Sequence, residues 1–307
     1  MPKVLVATVK PFAPAAVNEI KKITREAGYE FALLEKYETQ ADLIAAVKDA
    51  DALIIRSDKA TKEVIDAAEN LKIIVRAGAG YDNIDLDAAS AKGVVAMNTP
   101  GQNSNAVAEL ALGMMVYLAR NRFNGKAGTE LRGKKIGIHA YGHVGKLVGN
   151  IARGFGMEVF AFDPFIPKEA IEKDGVTAVD SVEALYETCQ YISLHIPANA
   201  HTIKSINYAL LSKMPANAVL VNTARKEVID ETDLLKVFAD RADFKYISDI
   251  APDCKDEIAE KYEGRFFFTP KKMGAQTAEA NINAGIAAAK QIVNFLEKGD
   301  TTFQVNK

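Results

Sequence analysis

Cysteine and histidine are both scarce in this chain, long apolar runs are missing, and neither sign of charge is in excess. Of 307 residues only two are cysteines, Cys189 and Cys254. Two are too few for a disulfide framework and suit a reducing compartment, so a cytoplasmic location is expected. No segment reaches the ~20 consecutive apolar residues that a membrane span needs. The first eleven residues have no basic stretch leading into an apolar run, so neither cleavage nor anchoring is expected. The net charge is −2 with acids and bases interspersed, which leaves no broad positive field for nucleic acid or an anionic membrane. Small molecules are the expected partners. What is present is 49% hydrophobic and 25% charged residues, ordinary for a soluble protein and enough for two packed cores.

Short β-branched runs alternate with amphipathic stretches, the rhythm of an α/β fold with parallel sheets. Strands are predicted at Val4–Thr8, Ala52–Ile55, Ile73–Val75 and Val94–Met97. The first helix is placed from Pro14, whose fixed φ suits a first turn, to Gly28, which can take a left-handed cap. A second series supplies strands at Ile136–His139, Glu158–Phe162, Ile192–Leu194, Val219–Val221, Tyr246–Ser248 and Phe266–Phe268. The turn-rich Asn98-Thr99-Pro100-Gly101 separates the two series and is followed by an apolar helix over Ala106–Leu118. A last helix, Ala278–Leu296, ends at Gly299 and is expected to return to the first domain.

Within the second series, Ile136-Gly137-Ile138-His139 ends a strand, and Ala140-Tyr141-Gly142-His143-Val144-Gly145 leads into a helix. That is the order of a dinucleotide-binding turn. Gly142 lets the backbone approach a pyrophosphate, Gly145 permits close helix packing, and the helix start offers free N–H groups to the phosphates. Ala140 stands where the first glycine usually falls, so the turn must tolerate a Cβ. Asp163 closes the next strand 18 residues after Gly145, where a carboxylate can accept from both ribose hydroxyls and would repel a 2′-phosphate. NAD is therefore favoured over NADP.

Four further segments carry a resemblance: Arg76-Ala77-Gly78-Ala79-Gly80-Tyr81-Asp82-Asn83-Ile84-Asp85, Asn98-Thr99-Pro100-Gly101, Leu194-His195-Ile196-Pro197 and Val221-Asn222-Thr223-Ala224-Arg225. End to end and in the same order, the chain resembles the D-2-hydroxyacid dehydrogenases. The resemblance implies two Rossmann-like parallel-sheet domains, the substrate domain discontinuous (1–101 and 281–307) and the NAD-binding domain inserted (102–280). It implies an NAD-dependent dehydrogenase, usually a homodimer, and no metal site. By the same resemblance, backbone N–H groups of Gly78-Ala79-Gly80 hold the substrate carboxylate, a task that needs small residues. Arg225 is the catalytic arginine, binding carboxylate and keto oxygen through its planar fork. His195 and Pro197 line the nicotinamide, Asp249 accepts from its carboxamide, and Thr223 and Ala224 lie beside the cofactor. Tyr141, Gly142, His143, Val144, Gly145 and Asp163 complete the cofactor set.

The family's general acid/base is a histidine after Thr-Pro, paired with an earlier glutamate, and this chain has neither. It reads Thr269-Pro270-Lys271-Lys272-Met273-Gly274-Ala275, and its four histidines, His139, His143, His195 and His201, lie elsewhere. Counting forward from Thr-Pro puts Lys271 in the place of the histidine; counting back from Gly-Ala puts Lys272 there. Lys271 is the first choice. A lysine can serve if burial beside a second ammonium and Arg225 lowers its pKa. Cys254 falls where the glutamate would be, and the preceding Asp253 is a candidate to orient the lysine, although a close carboxylate would raise the lysine's pKa.

Arg56-Ser57-Asp58-Lys59 follows one strand and Arg76 ends its neighbour, so two guanidinium groups and an ammonium could converge on a phosphate. The chain thus resembles the branch of the family that oxidises 3-phosphoglycerate at C2, opening serine biosynthesis. That branch includes a short form without a regulatory domain that uses lysine for histidine, and a sequence ending at Lys307 fits it. The rival within the chemistry is a hydroxypyruvate or glyoxylate reductase, or another D-2-hydroxyacid dehydrogenase. From another class, a non-catalytic NAD-sensing interaction protein would share the fold, but the retained Arg225 speaks against it.

Overall fold

The computed structural model describes residues 1–307 and divides into two compact units, 1–103 with 276–307, and 104–275. The first unit is built from β1 (Lys3–Thr8), α1 (Pro14–Glu26), β2 (Glu30–Glu35), α2 (Gln40–Val47), β3 (Ala52–Ile55), α3 (Lys62–Ala67), β4 (Ile73–Arg76), α4 (Leu86–Ala91) and β5 (Val95–Asn98). Its strands are all parallel in the order β2-β1-β3-β4-β5.

In the second unit come α5 (Ser104–Ala119), β6 (Lys135–His139), α6 (His143–Gly154), β7 (Glu158–Phe162), α7 (Lys168–Glu172), β8 (Thr177–Ala178), α8 (Val182–Thr188) and β9 (Tyr191–Leu194). Then follow α9 (Tyr208–Leu211), β10 (Val219–Asn222), α10 (Glu231–Asp240), β11 (Lys245–Ser248), α11 (Lys255–Lys261) and β12 (Phe266–Phe268). The seven strands lie parallel in the order β12-β11-β10-β9-β6-β7-β8. The last helix, α12 (Ala278–Lys298), belongs to the first unit and packs there on α1, β3 and β4.

Both sheets are covered on both faces, which is why their central strands read as unbroken apolar runs. In the first, Val4, Val6, Ile54, Ile73 and Val75 face α1 and α12, while Leu5, Leu53, Ile55 and Ile74 face α2, α3 and α4. In the second, Ile136, Ile138, Val221 and Ile247 pack on α5 and α6, and Ile192, Leu194, Leu220 and Tyr246 pack on α8 and α10. Each such aliphatic side chain contributes ~1.5–3 kcal/mol by leaving water.

The strands predicted from apolar runs occur within a residue of their expected ends. Strand β2 was not foreseen. It is an edge strand with no fully buried residue and a glutamate at each end, so it lacks the continuous apolar signal and blunts the edge with charge. The two-residue β8 at the other sheet's edge also went unread. Helix α1 stops at Glu26, and Gly28 takes φ +75° in the turn beyond it. No helix is long and apolar enough to cross a membrane.

The topology locates the ligand faces. In a doubly wound sheet, ligands bind at the carboxyl ends where the strand order reverses. In the first unit that point lies between β1 and β3, which lead into Val9–Pro11 and Arg56–Lys59; in the second it lies between β6 and β9, which lead into Ala140–Gly145 and His195.

Candidate active site

The turn after β6 has the form its sequence requires. Ala140 sits at φ +79°, a conformation in which a Cβ is strained, and its carbonyl lies so close to α6 that a Cβ on Gly145 would come within 2.2 Å of it. Only glycine fits there. At Gly142 an added Cβ would meet nothing within 4 Å, so the backbone stands open on that side, next to the unpaired N–H groups of a helix start. Asp163 Oδ2 accepts from the Tyr141 N–H at 2.8 Å and Oδ1 from the Phe165 N–H at 2.8 Å. The carboxylate is thereby aimed beside the turn, and each oxygen keeps a lone pair for a further donor. Tyr141 is itself tied back, its hydroxyl 3.3 Å from Asp174, which also pairs with Lys146 at 2.9 Å. Burial pushes the Tyr141 phenol up to about 12, and Asp174 adds to the effect. His143 stands exposed at the first position of α6, and Val144 is half-buried beside it.

On the other side of the reversal, the His195 N–H donates to His139 O at 2.9 Å, and its Nε2 lies 2.9 Å from Ser193 Oγ. Loss of water around the ring pulls His195 down to about 3, helped by His139, whose own value burial lowers to about 4. Both imidazoles are therefore neutral near pH 7. Pro197 is exposed, and its carbonyl accepts from Thr202.

Strands β10 and β11 deliver the next group side by side. Thr223 Oγ1 and Asp249 Oδ1 are both buried with no hydrogen-bond partner. Unmatched buried polar atoms are costly and rare, so two adjacent ones mark a place shaped for a polar ligand. The other Asp249 oxygen accepts from the Gly274 N–H at 2.7 Å, folding the Lys271–Gly274 loop against it. Burial raises the Asp249 carboxyl above the ordinary carboxylate range, opposed by the Gly274 N–H and by Lys272 and Arg225.

Two cations meet on one oxygen. Arg225 Nη1 donates to Ala224 O at 3.0 Å, and Lys272 Nζ reaches the same oxygen at 3.3 Å. The structure thus brings Lys272, rather than Lys271, to the arginine. Lys271 and Lys272 are both exposed, which departs from the burial expected of a catalytic lysine; Lys271 engages the loop through its carbonyl, which accepts from Thr269 Oγ1 at 2.7 Å. The Gly274 N–H, held on Asp249, anchors the far end of the segment. The Asp253 carboxylate pairs with Lys226 at 2.6 Å, and its N–H donates to Glu231. Sequence reasoning missed Glu231, whose carboxylate also receives the Cys254 N–H at 2.8 Å; nothing local in the sequence announces a contact made across strand ends.

In the first unit, Arg76 lies over Gly78, where a Cβ would fall 1.7 Å from its Nη1. Of the three N–H groups expected to face an anion, that of Gly78 is spent on Arg76 O at 2.9 Å, which leaves those of Ala79 and Gly80 without an acceptor, while Ala79 O takes the Asn98 amide at 2.6 Å. This is a small backbone concavity suited to an anion. Arg76 Nε donates to Arg56 O at 2.9 Å, so the two arginines are adjacent. Arg56 is more committed than expected. Its Nη1 donates to Lys10 O and Pro11 O, both at 3.0 Å, its Nη2 donates to Asn281, and its guanidinium lies 4.9 Å from the centre of the Phe12 ring. Asp58, buried beneath this loop, accepts from Val9 N at 2.7 Å and Tyr37 OH at 2.8 Å. Ser57 and Lys59 are exposed at the surface of the same loop. Asn281 and Asp58 were also missed; the first lies 225 residues away in sequence, and the second reads as one more loop acid.

Two parallel-sheet α/β units, one carrying a dinucleotide-type turn and an arginine–lysine pair at its strand ends, define the class. The chain belongs to the D-isomer specific 2-hydroxyacid dehydrogenase family, whose catalytic-domain model matches residues 4–306. Among solved structures it resembles NAD+-bound 3-phosphoglycerate dehydrogenase of Entamoeba histolytica, with 49% identity, a TM-score of 0.89 and coverage of 100% of this chain and 99% of that one. It is 37% identical over 277 residues to a D-3-phosphoglycerate dehydrogenase of Methanocaldococcus jannaschii, covering 84% of this chain and 52% of that protein. To a hydroxypyruvate reductase of Thermotoga maritima it is 36% identical, covering 83% of this chain and 88% of the relative. The chain spans about half the length of the first two curated relatives it matches.

Proposed function

We propose that the chain is an NAD-dependent D-3-phosphoglycerate dehydrogenase, oxidising 3-phosphoglycerate at C2 to 3-phosphohydroxypyruvate. The observation that carries this reading is the meeting of Arg225 and Lys272 on Ala224 O. It sets a planar anion clamp beside a group able to exchange a proton.

The residues present fit the cofactor. Gly142–Gly145 and the start of α6 suit the pyrophosphate, Asp163 the adenosine ribose, and the unmatched Asp249 Oδ1 a carboxamide N–H. When bound, NAD supplies a hydride acceptor. Neutral His195 and Pro197 border the nicotinamide in this reading, with Thr223 and Ala224 beside it. Arg225 binds the carboxylate and the oxygen on C2, and its charge stabilises the developing carbonyl. Lys272, once deprotonated, accepts the C2 hydroxyl proton, so that the hydroxyl becomes a carbonyl as hydride leaves C2. The Ala79 and Gly80 N–H groups hold the substrate carboxylate, and Arg76, Arg56, Ser57 and Lys59 attract its phosphate. Asp253, engaged with Lys226, has no part in the proton transfer. A domain division near 101/102 and 280/281, a homodimer, a cytoplasmic location and a place at the opening of serine biosynthesis complete the proposal.

A second reading, hydroxypyruvate reductase, draws on the Thermotoga relative and on Arg56, three of whose N–H groups already serve Lys10, Pro11 and Asn281. A substrate panel followed at NADH absorbance separates the two. With 3-phosphoglycerate oxidised at least about tenfold more efficiently than glycerate, the phosphate site stands. Equal efficiency, or activity confined to hydroxypyruvate and glyoxylate, overturns it in favour of the reductase.

A further inference from the structure

We propose that Asn222 and Tyr246 are positioning residues for Arg225, a role that rests on the reading of Arg225 as the substrate clamp. Both side chains are fully buried, Asn222 as the last residue of β10 and Tyr246 inside the adjacent strand β11, in register with Leu220. Asn222 Oδ1 accepts from the Ala224 N–H at 2.9 Å, and Nδ2 donates to Arg225 O at 3.0 Å. One amide therefore straps the two peptide groups flanking the Ala224–Arg225 peptide, whose own oxygen receives both Arg225 and Lys272.

The second Nδ2 hydrogen points to Tyr246 Oη at 3.4 Å. An asparagine that accepts from one N–H and donates in two directions has a single amide orientation; flipping it would set donor against donor at Ala224 and acceptor against acceptor at Arg225. Tyr246 is in turn held by Phe268, their rings edge-on with centroids 5.5 Å apart. Ser248 Oγ closes the cluster 2.8 Å from the Asn222 carbonyl. A turn at a strand end could be filled by apolar side chains; buried polar groups matched this fully restrict it to one geometry. Arg225 follows in an extended conformation (φ −142°, ψ 141°), so its direction is set by these peptides.

The test is a double-mutant cycle. Tyr246→Phe keeps the packed ring and removes only the hydroxyl; Asn222→Asp keeps the acceptor for Ala224 and removes both donors. Each alone is expected to lower kcat/KM for the hydroxy acid about tenfold, while the NAD dissociation constant stays within about twofold. In an Arg225→Ala background the same changes should have almost no further effect, because coupled residues are not additive. Should Asn222→Asp fail to fold, Tyr246→Phe decides alone. Losses that multiply in the double variant, or Tyr246→Phe at wild-type kcat/KM, overturn the positioning role and leave the clamp intact. Full turnover by Arg225→Ala overturns the clamp and the positioning role together.

Discussion

The two sheets both carry arginines beyond the carboxyl ends of their strands, and they treat them differently. Arg56 in the five-stranded sheet is half-buried on Phe12 and donates to two carbonyls and an amide oxygen of its own unit. Burial also pulls its pKa below the usual arginine range. Arg225 in the seven-stranded sheet makes one hydrogen bond, to the carbonyl before it. A guanidinium has five N–H groups in a rigid fork. One whose donors are mostly filled shapes a loop and contributes field; one whose donors are mostly open is available to bind. The same side chain at the same kind of place is thus partly a structural strut in one unit and left with most of its donors open in the other.

This contrast can be broken experimentally. Arg225→Ala should lower kcat/KM by about a thousandfold while leaving the melting temperature unchanged, the signature of a group that acts only on substrate. A parallel loss of stability would erase the distinction from Arg56. Next in size, Lys272→Ala should reduce kcat by a factor of about 10² to 10³, and Lys271→Ala by less than about threefold. The reverse order would restore the register that counts forward from Thr-Pro.

Acid should separate the units as well, since all four histidines lie within 104–275. His139 at about 4 and His195 at about 3 are depressed below their unfolded value of 6.5. Their contribution is fully present above pH 6.5 and is lost as pH falls from there toward 4 and 3. Amide hydrogen exchange at pH 7 and pH 4.5, corrected for intrinsic rates, should show β6 and β9 losing protection ahead of β1 and β3. Uniform loss would mean that carboxylates, not these imidazoles, set the acid limit.

Arg56→Ala should cost about 1 kcal/mol in denaturant unfolding, because it removes the guanidinium packed on Phe12 and the donor to Asn281, whereas Lys10 O keeps Thr8 Oγ1, in addition to weakening phosphate recognition. Stability unchanged by that substitution would return Arg56 to a purely ligand-directed role. Smallest is Ala140→Gly. Relief of the positive φ outweighs the added freedom of the unfolded chain, for a gain of about 0.5 kcal/mol in unfolding free energy.

Much of this was legible in the residues. Strands such as β3 and β10, buried on both faces, announce themselves by unbroken apolar runs, whereas β2 is at an edge, half-exposed and acid-tipped, and leaves no such trace. The glycine turn and Asp163 were readable because each does a local job. What could not be read depends on closure in three dimensions. Which lysine reaches Ala224 depends on the path of a loop whose far end is anchored by Gly274 on Asp249, and the Asn222–Tyr246 pairing joins residues 24 apart in sequence. The commitment of Arg56 to Asn281 joins the two separate pieces of its unit.

That last division bears on how the chain acquires its shape. The sheet of the first unit leaves Val4, Ile54, Ile73 and Val75 without their full cover until α12 arrives, and residues 104–275 lie in between. During synthesis, the earliest part of the polypeptide must therefore wait with an apolar face bare while the intervening unit is made and can fold. Closing so long a loop adds only a logarithmic entropic cost, so the penalty falls on time rather than on final stability. Over that interval the nascent first unit is expected to be the segment most dependent on chaperone shielding.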